Sequence, residues 1–152
     1  MYYDITDGST EEIALAVSVD GISWSKVGPL AVLPRGGAGT WDSNYATEQA
    51  AVLQLATNQF MMWYSGGVDS SHEGIGCASS TDGLNWTKFS GNPIFSIFDG
   101  VAWRNDRICN PWVLFDPLKF SGHGDPVCFK FWMTGATVGG KPHIGYATNP
   151  SG

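Results

Sequence analysis

The sequence predicts an all-β fold built from repeated four-stranded antiparallel units, and three recurrences predict it. An Ile-x-x-Ala strand occurs at residues 13–16, again at 75–78 and a third time at 144–147. It runs into Asp20-Gly21 and Asp82-Gly83, with Ser151-Gly152 in the matching place, and the first two lead on to "ISWSKV" and "LNWTKF". Aromatic stretches, "FMMWYSG" at 60–66 and "FKFWMTG" at 129–135, precede the second and third copies, and the opening "MYYD" fits the end of the same pattern.

Taken in order, the elements of one unit are "AAVLQL", "FMMWYS", "IGCASS" and "NWTKFS". Another strand start, "NPWVLFD" at 110–116, matches "QAAVLQL" at 49–55. Asp-Gly between apolar stretches signals a hairpin, because glycine accepts positive φ. Ile13 to Ile75 is 62 residues and Ile75 to Ile144 is 69, so the unit length is that of a four-stranded antiparallel sheet with short turns. Repeated units of that kind make a β-propeller. Chance similarity within a β-sandwich is the alternative, and three motifs recurring in one order argue against it.

The chain reads as one partial propeller domain, 1–152, with blade parts at about 1–34, 41–98 and 103–152. The first unit starts at its second strand, the second has all four, and the third supplies three. Ten strands make about two and a half blades, fewer than the four to eight of a closed ring. An open ring exposes apolar faces and sheet edges. A homodimer is therefore expected, its twenty strands making five blades, although three chains or a longer parent chain also satisfy the requirement.

Composition excludes several classes. Hydrophobic residues at 43% exclude a disordered chain. The net charge of -6 and the scattered Lys and Arg argue against nucleic acid and anionic membranes as partners, because phosphate binding needs concentrated positive charge. No apolar run approaches the ~20 residues of a membrane span. No signal peptide is visible, which makes a cytoplasmic location the default expectation, with secretion open if the chain is a fragment. Cys77, Cys109 and Cys128 read as reduced structural thiols, and no metal-ligand spacing occurs, so neither metal nor cofactor is expected.

The stretch "MWYSGG…GIGCASSTDGLNWTKFSGNPIF" resembles the blade pattern of five-bladed-propeller glycosidases, the superfamily of glycoside hydrolase families 43, 32, 62 and 130. "TWDSNYATEQAAVLQLATNQFMMWYSG" is similar to the segment entering such a blade, and the resemblance covers essentially the whole chain. It implies a carbohydrate site in a central funnel, with carboxylates near the start of the innermost strands. Glycoside hydrolysis needs one protonated and one ionised carboxyl across the scissile bond. The matching positions here read Gln49-Ala50 and Asn110-Pro111, amides that neither donate nor abstract a proton at neutral pH.

Carboxylates stand nearby, and the catalytic candidates are Asp42, Glu48 and Asp106. Each has a plainer reading: a capping Asp after "PRGGAGT", a solvated strand end, and a surface ion pair with Arg104 or Arg107. Trp41, Trp103 and Trp112 lie at or before inner strands and are candidates to stack on sugar rings, with Arg104, Asn110 and His72 as polar contacts. Asp20 and Asp82 recur and so serve the turn, and the recurring Trp24, Trp63, Trp86 and Trp132 read as packing. Two functions follow as expectations: a glycosidase-like enzyme, or a non-catalytic carbohydrate-binding or structural module of the same origin.

Overall fold

The structure is a computed structural model that describes residues 1–28, 30–69, 73–121 and 126–149, with the backbone alone at 47–49. The protein is all-β. Its strands are β1 (Tyr2–Thr6), β2 (Glu11–Val17), β3 (Ser25–Lys26), β4 (Tyr45–Ala56), β5 (Gln59–Gly67) and β6 (Gly74–Ser80). They continue as β7 (Thr87–Lys88), β8 (Phe95–Ser96), β9 (Arg107–Phe115), β10 (Phe129–Ala136) and β11 (His143–Asn149). The described residues include no helix long and apolar enough to cross a membrane.

Three antiparallel meanders follow one another along the chain. The first is β1-β2-β3, the second β4-β5-β6-β7 and the third β9-β10-β11. A parallel bridge between Glu11 and Tyr45 links the first two into one sheet. The strands fall where the repeat places them, and the 62-residue interval carries over to pairing. Ile13 bridges Leu33, and Ile75 bridges Phe95 at the same offset, which makes β8 a strand the sequence reading does not contain.

The Asp-Gly pairs do mark hairpin connections, and each sits inside a longer loop. Residues 18–24 separate β2 from β3, and Asp20 organises them by accepting the Ile22 and Ser23 amides at 2.8 Å. Asp82 does the same for Leu84 and Asn85, also at 2.8 Å. Gly21 and Gly83 both sit at φ 73, the left-handed region that requires glycine. These hydrogen bonds hold both carboxyls far below the usual range.

The second meander is buried on both faces, which explains why β5 reads as a continuous apolar run rather than an alternation. Met62 and Tyr64 join Ile13, Leu33, Ala46 and Ala78 in a core against the first meander. Trp63 and Ile75 join Ile108, Val113, Phe131 and Met133 in a core against the third. Burying such side chains stabilises by roughly 1.5–3 kcal/mol each. Trp63 is buried as expected, and Trp86 packs edge-on against Tyr2 with centroids 5.8 Å apart. Trp24, its repeat partner, is 44% exposed, because among the described residues no preceding meander lies against it.

Candidate functional site

Trp41 and Asp42 lead into β4 and occupy one buried cluster. Asp42 is only 2% exposed. Its Oδ2 accepts from Lys88 Nζ at 2.6 Å and from the Tyr64 hydroxyl at 3.1 Å, and its Oδ1 accepts from Thr40 Oγ1 at 3.2 Å. Asn92 donates to the Tyr64 oxygen at 3.3 Å. Burial, then the Asp42 charge, pushes the Tyr64 phenol far up, so it stays protonated and donates. The carboxylate thus has both oxygens engaged, with a partly exposed lysine neutralising it.

Trp41 lies over glycines. A Cβ added at Gly76 would stand 2.7 Å from the Trp41 ring, and one added at Gly66 would stand equally close. Trp103 does the same in the third meander, where its ring covers Gly135 and Gly145. The sequence carries the signal: Ile75 and Ile144 are followed by glycine and each has a Trp upstream, whereas Ile13 is followed by Ala14. After Trp103 comes Arg104 in place of Asp42, and its guanidinium pairs with Asp99 at 2.6 Å and donates to the Ser96 carbonyl. Burial raises the Asp99 carboxyl, but the Arg104 hydrogen bond and charge outweigh it and leave the group below its ordinary value.

The first strands of the second and third meanders, β4 and β9, carry a different feature. The β4–β5 register shifts between Thr47 and Ala51, opposite Tyr64. The β9–β10 register shifts at residues 110 and 111, opposite Met133. Tyr64 and Met133 are repeat partners, so both strands bulge at the same place, and that place is Gln49-Ala50 and Asn110-Pro111. Bulges re-aim side chains and gather near functional sites. Asn110 is held at φ 53, a conformation that asparagine tolerates better than most residues. Its amide N–H donates to Oγ of the fully buried Ser65 at 3.1 Å, tying the third meander to the second.

Just beyond the bulges, β1, β4 and β9 converge on a cleft of about 310 Å³. Tyr2, residues 50–53 and residues 112–114 line it. Trp112 is 64% exposed there, and Asn110 stands two positions before it on β9. No carboxylate is among the lining residues. Aromatic rings suit the apolar faces of a sugar ring, and the lining offers no carboxyl to protonate a leaving group, the Tyr2 hydroxyl donating to the Gly83 carbonyl. A second cleft, about 600 Å³, lies between β5–β6 and β10–β11 and is lined chiefly by apolar groups, among them Trp63, Phe129, Phe131 and Cys77. Burial raises the Cys77 thiol, so it is not a reactive thiolate.

Of the sequence candidates only Trp112 lines the cleft, with Asn110 two positions before it on β9, while Trp41 with Asp42, and Trp103 with Arg104, sit in separate packing clusters. Asp106 is half-buried, and its N–H donates to the Ala136 carbonyl at 3.0 Å. Arg104 pairs with Asp99 instead. The Glu48 and Gln49 side chains, and all of His72, lie outside the described residues. Ser65, Tyr64, Lys88 and Asn92 are participants the sequence reading did not single out. Among the described residues no group of three His, Cys, Asp or Glu side chains is placed to hold a metal ion. No protein-family model and no curated protein matches the chain.

Proposed function

We propose that the protein is part of a glycosidase-type β-propeller that binds carbohydrate at the cleft where its inner strands converge, without hydrolysing it. The observation that carries this reading is an aromatic cleft that opens just beyond the Asn110 bulge and has no carboxylate among its lining residues. Tyr2 and Trp112 supply ring faces, and Asn110 supplies a donor and an acceptor from a fixed backbone position. The stacked meanders support the propeller reading, since the second buries its two faces against the first and the third as adjacent blades do. Engagement of Asp42 by Lys88 and Tyr64 supports binding over catalysis, because it removes one candidate acid from substrate reach.

Calorimetry against a panel of oligosaccharides tests the binding, alongside assays on chromogenic glycosides. Binding of at least one oligosaccharide without turnover is expected. Trp112→Ala and Asn110→Gly should each weaken that binding, and Asn110→Gly should do so with undiminished stability, since glycine accepts φ 53 freely. Heat-silent titrations across the panel would sink the reading. Turnover abolished by Glu48→Gln would establish the enzyme instead.

A further inference from the structure

Each meander has a face toward the next meander and a face toward the previous one, and the repeat assigns matching residues to both. On the face toward the next, Ile13 and Ile75 are each 0% exposed, whereas Ile144 is 81% exposed. Tyr146 stands beside it at 51%, opposite Trp132 in the register, with the Trp132 and Tyr146 rings 5.3 Å apart. On the face toward the previous, Met62 is 0% and Phe131 is 7% exposed, whereas Met1 is 55%. Trp24 and Ile22 are likewise exposed at 44% and 83%.

The two uncovered faces are the two halves of one contact that the chain already makes internally. Between the first and second meanders, Tyr2 donates to the Gly83 carbonyl at 2.8 Å and packs edge-on against Trp86. By pairing register, Tyr2 faces Leu15 as Trp63 faces Cys77 and Trp132 faces Tyr146, so these three aromatics are equivalent. Gly21 and Trp24 are the equivalents of Gly83 and Trp86, 62 positions earlier. From this we infer that the third meander of one copy docks on the first meander of a second copy, with Trp132 seated against the Gly21–Trp24 loop and Ile144 covered.

The contact is head-to-tail, and two copies close it by making it twice. Each chain contributes meanders of three, four and three strands that stack face to face. Two copies therefore bring six meanders into the ring, where a count of twenty strands suggests five. Six lies within the range of closed propellers. The inference rests on the repeat contacts alone and holds whether or not the inner cleft takes a sugar.

Light scattering after size exclusion, at about 50 µM and after serial dilution, tests it. A dimer is expected. Ile144→Asp and, separately, Trp24→Asp should each weaken dimerisation by about tenfold or more, the usual loss of a buried apolar anchor. Both positions are exposed within the chain, so unchanged circular dichroism is expected for both. Tyr146→Lys and Ile22→Asp replace them if either fails to fold. An equimolar mixture of the two variants should recover dimers, because a mixed pair keeps one contact with both faces intact. A monomeric parent protein, a dimer insensitive to both variants, or one broken by Ile144→Asp but not by Trp24→Asp would overturn the inference.

Discussion

Replacing Lys88 with methionine separates a structural Asp42 from a catalytic one. The substitution keeps the length of the stem and removes the ammonium that lies 2.6 Å from Asp42 Oδ2. Asp42 then remains with the Tyr64 and Thr40 hydroxyls but without a neutralising charge. Removing one partner of a buried ion pair costs about 3–5 kcal/mol. The Lys88 side chain is 26% exposed while that of Asp42 is 3% exposed, so water screens one end, and the low end of that range, about 3 kcal/mol, is expected. For a chain of this size that is a fall of roughly 6–12 °C in melting temperature. Urea titration at neutral pH, followed by tryptophan fluorescence, measures it directly. Asp42→Asn should destabilise as well, and the double variant should lose less than the sum, with a coupling of about 1–3 kcal/mol. A loss below about 1 kcal/mol for Lys88→Met, as at an exposed pair, would refute the argument. A more stable Asp42→Asn would refute it too, since that is how a strained catalytic carboxylate behaves when removed.

Other outcomes follow from the packing and the turns. Gly76→Ala would drive a methyl into the Trp41 and Tyr64 rings at 2.7 and 2.9 Å, and overpacking of this kind costs about 1–3 kcal/mol, readable as a lower urea midpoint. Asp20 and Asp82 have carboxyls depressed by the turn amides, so their contribution to stability is present above the ordinary Asp range and is lost as pH falls through the folded values. Asn keeps an acceptor oxygen for those amides but does not titrate. The Asp20→Asn, Asp82→Asn double variant should therefore show a flatter loss of stability below about pH 4 than the parent, and equal slopes would count against the turn assignment.

What the sequence made legible is what the repeat repeats. Ile13 and Ile75 point into consecutive cores because each copy of the strand meets the same kind of neighbour, and the two Asp-Gly pairs reach φ 73 through the same hydrogen bonds. The turn length was not legible because Asp-Gly has two uses: a two-residue hairpin, and an Asp that caps a longer loop with the glycine inside it. Resemblance marked Gln49-Ala50 and Asn110-Pro111 as special, but the cause it suggested was a catalytic group, and the structure supplies a bulge. Bulges leave little in a sequence, since an extra residue in one strand looks like any other strand residue. Asparagine tolerates the left-handed backbone that Asn110 adopts, but the proline after it favours an extended residue, so the sequence did not announce it. Trp41 was legible only in company: its glycines at 66, 74 and 76 lie far along the chain, and the ring sits where no side chain competes for the space. Asp42 and Lys88 are 46 positions apart, and neither motif names the other. A residue that recurs can be read from its copies, whereas Trp112 has no like residue at Ala51. A residue that breaks the repeat is free of the packing that the repeat imposes on its copies, and Trp112, 64% exposed, is such a residue.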